Sequence, residues 1–540
     1  MNSSNPNGEG GVSPQERGRG YVSPPFEVSH LNKVGRPVLG ETDLPERFDW
    51  RESGAVTAVQ DQGDCGACYA FATLSSFEAQ LVIADEGLYD FSENHAAACV
   101  YEQTVGDPNR GGCDGGNIWM LANLYSGYGT VQEACDPWDP ADQTCRANDC
   151  PMIKTVTDMW VLYGNEIPPT AILKDWLQNH GPLYVAMDSG YSSWEWAREF
   201  GDYDGSYTLH CPMDFPQYDH AVLLVGWDDT LSHDGGKGGW IVKNSWGTEW
   251  GGTAGYGTEG GYFTIAYESA GLGAFAAFMP GWQNHDSDGD LLYHDEGGRQ
   301  TAFGASSGST EAWGLARLMP SLDGQATQVE IWTTDRTTNV EVYIYDEFDG
   351  SALSGLLWQG LNYSFDYAGY HSIEIPSGLS VTAGDDINVA VKFENDSYSY
   401  PVPADDMGPV YADKSFFSTD GADESWTDLG SMWSADVGIR LRVKAPVAPT
   451  ETLTPTPTHT PTSTPTTVPP TATDTVAPIV TDTPTFTPTP TATETNTPVV
   501  ASYRLALPLI IKGGGVSPRP TATSTFTPSP TATTDSYPAP

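Results

Sequence analysis

Basic residues are scarce in this chain of 540 residues, where 24 lysines and arginines face 71 acidic residues and the formal net charge is -47. Such an acidic surface repels the phosphate backbone of DNA and RNA, which argues against nucleic-acid binding as a main role. The same acidity is typical of a strongly solvated extracellular surface.

Long hydrophobic runs are also lacking. Residues 1–43 contain no apolar segment of the kind that forms the centre of a secretory signal. The apolar run at 505–511 is far too short to cross a bilayer. We therefore expect no transmembrane span, and we expect residues 1–43 to form an arm that is mostly extended or disordered.

The densest local signal lies at residues 62–72, where Cys65 and Cys68 stand three positions apart among glycines. Apolar residues recur at helical spacing after Cys68, which predicts that this cysteine begins a helix. A helix N-terminus stabilises an anion, so we expect the pKa of the thiol to be lowered and the thiolate to be nucleophilic. Gln62 can bring its side-chain amide over the sulfur and help to hold an oxyanion.

A nucleophilic cysteine needs a base and a group that orients this base. His220 stands at the head of an apolar strand, and Asn244 stands at the end of a second apolar strand. Neighbouring strands would present the two side chains together. The side-chain oxygen of Asn244 would then accept the imidazole proton and fix the ring.

These residues resemble the papain family of cysteine proteases, whose signature around the cysteine has the form Cys-Gly-[Ser/Ala]-Cys-[Trp/Tyr], with His and Asn downstream. The resemblance begins at residues 44–51, passes through 92–94 and 113–116, and covers roughly half the chain. It implies Cys68 as nucleophile, His220 as general acid and base, Asn244 as the orienting residue and Gln62 in the oxyanion hole. It implies neither a metal nor an organic cofactor.

Two features depart from the family pattern. Tyr69 stands where most members have tryptophan, and residues 252–259 form a glycine-rich insertion. Neither change removes a catalytic group.

The resemblance also implies a pocket for the second residue before the scissile bond, built from Gly115, Gly116, Ile118, Ala186 and Asp219. The glycines let a substrate backbone approach closely. An apolar and fairly roomy pocket favours a bulky side chain such as Leu, Phe or Val. The alternative is that Ile118 and Ala186 only pack the cores of the lobes.

The chain has eight cysteines. The resemblance implies the disulfides Cys65–Cys113 and Cys99–Cys145, whereas Cys135–Cys150 is a local guess that leaves Cys211 over. This usage favours an oxidising compartment. A zinc site is the competing interpretation, but the spacings do not form two paired Cys-x-x-Cys knuckles.

The resemblance implies a papain-like unit at 44–280. Composition and periodicity predict the arm at 1–43 before it, and a β-sandwich at 281–446 and a disordered Thr/Pro-rich tail at 447–540 after it. The expected fold class is α+β, with a helical lobe and an antiparallel β lobe followed by the all-β sandwich. The sandwich is similar to the lectin-like domain of some prokaryotic papain-like peptidases. The acidic loop at 286–290 lacks the glycine and glutamate that an EF-hand needs, which indicates a polar turn.

The sequence therefore predicts a secreted or cell-surface cysteine endopeptidase that acts on a peptide or protein substrate. A glycan or another cell-surface ligand for the β-sandwich stays open. The rival hypotheses are a glycan-binding adhesin with an idle papain-like unit, and a transpeptidase that uses the same residues. Two alternatives stay open for residues 21–40: this segment lies along the cleft as an extended chain, or it belongs to a poorly ordered arm.

Overall fold

The computed structural model describes residues 19–32, 44–105, 111–141, 144–146, 149–213 and 216–446. The predicted tail at 447–540 lies outside the described residues, as do residues 1–18 and 33–43 of the predicted arm. Within the described ranges, no helix combines the length and the apolar character that a membrane span needs.

A helical lobe follows the short strand β1 (Arg47–Asp49). It contains three helices: α1 (Cys68–Ile83), α2 (Glu93–Val105) and α3 (Ile118–Gly127). Helix α1 is the central element, since its residues are buried continuously from Cys68 to Leu81. Helix α3 begins where the side chain of Asn117 accepts a hydrogen bond from the backbone of Met120, which satisfies one of the N–H groups that a helix start leaves unpaired.

An antiparallel β lobe forms the second half of the peptidase-like unit. Its elements in chain order are β2 (Lys154–Tyr163), α4 (Thr170–His180), β3 (Leu183–Met187), α5 (Trp194–Gly201), β4 (His220–His233), β5 (Gly236–Lys243), β6 (Tyr262–Ala266) and β7 (Ala276–Asn284). The strands pair in the order β6-β5-β4-β3-β7-β2, and β1 also pairs with β4. The predicted two-lobe α+β fold is confirmed.

The C-terminal unit is all-β apart from one short helix. Its elements are β8 (Asp290–Leu292), β9 (Thr301–Phe303), β10 (Glu311–Leu318), β11 (Gly324–Thr333), β12 (Thr338–Phe348), β13 (Leu353–Phe365), β14 (Ala368–Val381), β15 (Ile387–Asn395), β16 (Val402–Asp405), β17 (Ser415–Ser418), β18 (Thr427–Asp428), α6 (Leu429–Trp433), β19 (Asp436–Val437) and β20 (Ile439–Lys444). The side chains of Val340, Val342 and Ile344 are buried on one face of β12, as their alternation predicts.

The two units share one sheet, which the sequence interpretation did not foresee. Strand β14 of the C-terminal unit pairs with β2 of the β lobe, so the sheet continues as β2-β14-β11-β20-β8. Gly369 permits this pairing, because a Cβ atom at this position would lie 1.8 Å from the carbonyl oxygen of Met159. The expected boundary at 280/281 falls inside β7, and a turn at residues 285–289 leads from β7 to β8.

A buried ion pair also crosses the junction. The guanidinium of Arg440 on β20 lies 2.9 Å from Asp295, and its Nη1 donates to the hydroxyl of Ser126 on α3 at 3.0 Å. Both charged side chains are almost fully buried. Two buried charges are stable only when they are paired and fully hydrogen-bonded, so this contact fixes how the two units are oriented.

Candidate active site

The site is built around Cys68, the first residue of α1. Its thiol is free and fully buried. The backbone N–H of Ala221 donates to Sγ of Cys68 at 3.3 Å, so the start of β4 lies directly against the sulfur. The site thus joins the first helix of one lobe to the first residues of β4 in the other.

His220 begins β4, and Asn244 directly follows β5, the strand paired with β4. Nε2 of His220 donates to Oδ1 of Asn244 over 2.8 Å. The same oxygen accepts from the backbone N–H of Ser245 at 2.9 Å, which fixes the orientation of the amide. Within the described residues, Nδ1 of His220 has no hydrogen-bond partner, so this nitrogen remains for proton transfer.

Burial keeps this Cys–His pair neutral in the observed conformation. It raises the pKa of the Cys68 thiol to about 12 and lowers the pKa of His220 to about 4. The lowered thiol pKa that the helix N-terminus predicts is therefore not observed, because loss of solvation outweighs the helix dipole in a covered site. The imidazolium–thiolate pair requires that the site be opened.

Gln62 is fully buried beside the same site. Its Nε2 donates to the carbonyl oxygen of Cys65 at 2.7 Å, and its Oε1 accepts from the hydroxyl of Ser245 at 2.6 Å. These bonds fix the plane of the Gln62 amide, which lies six residues before Cys68 in the chain. The interaction with an oxyanion above Cys68 stays a prediction.

The described part of the N-terminal arm, residues 19–32, lies in the cleft between the lobes. The N–H groups of Gly20 and Tyr21 both donate to the carbonyl oxygen of Asp219 at 3.1 Å. Gly116 pairs with the arm in parallel, because its N–H donates to Gly20 at 2.8 Å and its carbonyl accepts from Val22 at 2.9 Å. The arm therefore forms backbone hydrogen bonds with Gly116 and Asp219, two of the residues that the sequence analysis assigned to the substrate pocket.

Gly20 is the closest point of the arm to the active cysteine. A Cβ atom at this position would lie 1.6 Å from the carbonyl oxygen of Gly66, so no other residue fits here without displacing the backbone. Gly115 faces the same part of the arm at a longer distance, since its added Cβ would lie 2.8 Å from the carbonyl oxygen of Gly20.

The side chain of Tyr21 fills the apolar space beside these backbone contacts. It is 6% exposed and belongs to one hydrophobic cluster with Ile118 and Ala186, both of which are fully buried. Its ring centroid lies 6.2 Å from that of Phe275. Two of the residues predicted to line the pocket thus belong to the same apolar cluster as this bulky aromatic side chain of the arm.

The far end of the arm is anchored on the C-terminal unit. Nε2 of His30 donates to the carbonyl oxygen of Thr334 at 2.7 Å, and its ring stacks on Tyr398 with centroids 3.9 Å apart. Val28 and Leu31 are buried. These apolar and stacking contacts explain why residues 19–32 take a defined path, the first of the two alternatives that the sequence left open.

Three disulfides lie in the helical lobe: Cys65–Cys113, Cys99–Cys145 and Cys135–Cys150. Cys211 is unpaired, as is Cys68. The first disulfide joins Cys65, which lies just before Cys68, to Cys113, which lies just before Gly115. It therefore ties the segment of the cysteine to the glycine segment that pairs with the arm.

Some residues of the site were missed from the sequence. Trp246 packs beside the imidazole of His220 with ring centroids 5.1 Å apart. Arg19 forms an ion pair with Asp219 at 3.4 Å. The closeness of Trp246 to Asn244 in the chain was a usable signal, whereas no local pattern marks Arg19. Among the described residues, no group of three or more His, Cys, Asp or Glu side chains is arranged to hold a metal ion.

A cysteine at a helix start, an adjacent histidine and an asparagine that fixes the imidazole, set between a helical and a β lobe, define the papain class of cysteine proteases. Residues 44–272 match the model of the papain family cysteine protease, and residues 292–444 match that of a lectin-like domain. Cysteine proteinase 1 of Entamoeba histolytica is 30% identical over 246 residues, which are 45% of this chain and 67% of that protein. The chain belongs to the papain family and carries a lectin-like domain.

Two further proteins resemble this chain. Cysteine proteinase 15A of Pisum sativum is 34% identical over 256 residues, which are 44% of this chain and 61% of that protein, so the chain spans about three fifths of this relative. The cysteine protease and lectin-like domains of Cwp84, a surface layer associated protein of Clostridium difficile, superpose with a TM-score of 0.63 at 18% identity. That likeness covers 80% of this chain and 94% of the other, and it shows a common fold of both units.

Proposed function

We propose that the chain is a cysteine endopeptidase that hydrolyses peptide bonds through a thioester on Cys68. The hydrogen bond between His220 and Asn244 is the observation that carries the proposal, since an idle site has no need to orient an imidazole beside a buried thiol. Family membership and the intact Gln62 support the same conclusion, and they argue against an adhesin whose peptidase-like unit is inactive.

In the proposed reaction, the thiol proton of Cys68 passes to Nδ1 of His220, and the thiolate attacks the scissile carbonyl carbon. The amide of Gln62 stabilises the negative charge on the carbonyl oxygen. The imidazolium then protonates the leaving amine as the C–N bond breaks, which leaves a thioester. Water then gives a proton to His220, and its oxygen attacks the thioester carbonyl. The C–S bond breaks, His220 returns the proton to the sulfur, and the acyl group leaves as a carboxylic acid.

The proposed substrate lies extended in the cleft, where the arm now lies. Gly116 and the carbonyl of Asp219 supply backbone hydrogen bonds, and the space filled by Tyr21 receives the second residue before the scissile bond. The arm then acts as a mask that must leave before a substrate can enter. The three disulfides support secretion or display at the cell surface, because such bonds persist in oxidising compartments.

The test is hydrolysis of fluorogenic peptides after removal of the arm at a protease site introduced into residues 33–43. We expect Cys68→Ala to abolish turnover, His220→Ala to remove most of it, and Asn244→Ala to cost less, because Asn244 orients the ring and transfers no proton. A Cys68→Ala variant with unchanged turnover would refute the proposal. Mass spectrometry of products with an added amine nucleophile distinguishes hydrolysis from transpeptidation.

A further inference from the structure

A second concave site lies at the junction of the two units, away from the cleft. It is a cavity of about 560 Å³ between β2, helix α4 and the turn that joins β13 to β14. Strands β3 and β7 separate β2 from β4, which carries His220. Small-molecule sites are typically cavities of this size at domain junctions.

Aromatic side chains from both units form much of the wall: Trp160, Trp176, Phe365 and Tyr367. Tyr367 stacks on Trp160 with ring centroids 5.4 Å apart and an angle of 25°. Within the described residues, the buried Nε1 of Trp160 has no hydrogen-bond partner. A buried donor of this kind is costly to leave unpaired, so an acceptor atom in the cavity would stabilise it.

The polar part of the lining carries more carboxylates than cationic side chains. Asp158, Asp175 and Asp366 face Arg336 and His371, and Nδ1 of His371 lies 3.5 Å from Oδ1 of Asp158. Burial lowers the pKa of the neighbouring His180. The excess of carboxylates disfavours an anionic ligand. Ionised carboxylates only accept hydrogen bonds, so the complementary ligand is rich in hydroxyl donors and has an apolar face for the aromatic rings.

The floor of the cavity offers no free strand edge to an extended peptide, although β13, which contributes Ser364 and Phe365 to the lining, is the terminal strand of its own sheet. Strand β2, which forms the floor, is paired with β7 on one side and with β14 on the other. Peptides that bind a sheet do so mainly through main-chain pairing at an open edge. The walls are also fixed relative to each other, because the hydroxyl of Ser372 donates across the junction to the carbonyl of Thr157 at 2.7 Å.

We propose that this junction cavity binds a neutral saccharide. The apolar face of a sugar ring packs on the aromatic wall, its hydroxyls donate to the aspartates, and one oxygen accepts from Nε1 of Trp160. The site shares no residue with the cleft, so the inference stands independently of the proposed peptidase activity. It places the ligand between the units, where both units contribute to its recognition.

The test uses the full chain carrying Cys68→Ser, so that hydrolysis plays no part. Isothermal titration calorimetry is carried out with neutral oligosaccharides of glucose, mannose, galactose and N-acetylglucosamine, each at millimolar concentration. We expect at least one to bind, and we expect Trp160→Phe and Asp158→Asn to raise its Kd about tenfold or more. Trp160→Phe keeps one aromatic ring in the wall but removes the five-membered ring of the indole together with its N–H.

Trp313→Phe is the matched control, because Trp313 lies on β10 in the other sheet of the C-terminal unit, beside Tyr343. This variant should bind as tightly as the parent. The proposal is overturned if no saccharide of the panel binds, or if Trp313→Phe abolishes binding while Trp160→Phe does not. A further experiment uses the chain with Cys68 intact. The proposal is also overturned if saccharides do not bind and Trp160→Phe slows the cleavage of a protein substrate but not that of a short peptide. That result would identify a protein-docking site instead.

Discussion

Replacing Gly20 by valine should uncover the active cysteine without any cleavage of the arm. The added Cβ would lie 1.6 Å from the carbonyl oxygen of Gly66 and 2.2 Å from its carbonyl carbon, and neither backbone atom can move aside cheaply. The arm around residue 20 must therefore leave the cleft. The rest of the arm would stay anchored through Val28 and Leu31, which are buried in a separate contact.

The size of the effect follows from the bonds that are lost. Residues 20–22 make four backbone hydrogen bonds with the cleft, of which Gly20 and Tyr21 make three: those from Gly20 and Tyr21 to Asp219, and that from Gly116 to Gly20. At about 1 kcal/mol each, their loss shifts the equilibrium between covered and open cleft by about 3 kcal/mol, which is roughly a hundredfold.

The assay is the rate at which iodoacetamide alkylates Cys68, measured alongside the initial rate of hydrolysis of a short fluorogenic peptide. Mass spectrometry verifies that the arm is intact in every sample. Ser29→Ala serves as control, because the side chain of Ser29 is exposed and it lies in the same arm. If Gly20→Val reacts as slowly as the parent and as Ser29→Ala, the arm does not control access to the cysteine.

Three further predictions concern the thiol, the pocket and the junction. In the covered chain, the rate of alkylation of Cys68 should rise about tenfold per pH unit between pH 7 and 9, because burial raises the pKa of this thiol to about 12 and the thiolate is the reactive form. In an arm-free chain, this rate should vary much less with pH. Equal pH profiles of the two chains would contradict this reasoning. A positional-scanning peptide library should prefer Phe, Tyr or Leu two residues before the scissile bond, since the same space holds Tyr21, whereas a preference for Arg or Asp would show that the pocket is misassigned. Arg440→Ala should lower the free energy of unfolding by about 3–5 kcal/mol, as measured by urea denaturation, because it leaves Asp295 charged and buried. The double variant Arg440→Met with Asp295→Leu should recover much of the lost stability. A loss below about 1 kcal/mol in Arg440→Ala would contradict this prediction.

The catalytic candidates could be predicted from the sequence because their signals are local. Cys68 lies within a dense motif at a helix start, His220 begins a readable apolar strand, and Asn244 directly follows a second one. The alternating strands of the sandwich were equally clear, since burial on one face imposes a period of two.

Long-range features could not be predicted in the same way. The pairing of β14 with β2 joins residues about 200 positions apart and depends on the close approach that Gly369 permits. The contact of Arg440 with Ser126 on α3 joins residues 314 positions apart, and no periodic pattern marks it. The path of the arm depends on a cleft that exists only after both lobes have folded, so a short Gly/Pro-containing segment looked poorly ordered.

The pKa of the thiol shows how a local argument can be overruled by packing. A helix N-terminus lowers the pKa of a cysteine when the sulfur stays partly solvated. Here the sulfur is fully buried, and desolvation is the largest influence on the pKa of Cys68. The sequence argument therefore applies to the uncovered site and not to the observed one.

Labelling of the cysteines tests the central claim most directly. The chain is treated with a peptidyl vinyl sulfone after removal of the arm, digested without reduction and mapped by mass spectrometry. The account predicts a single adduct on Cys68, lost in His220→Ala, with Cys65 still joined to Cys113 and Cys211 unmodified. An adduct on Cys211, or a disulfide between Cys65 and Cys68 in protein that still hydrolyses peptides, would contradict it.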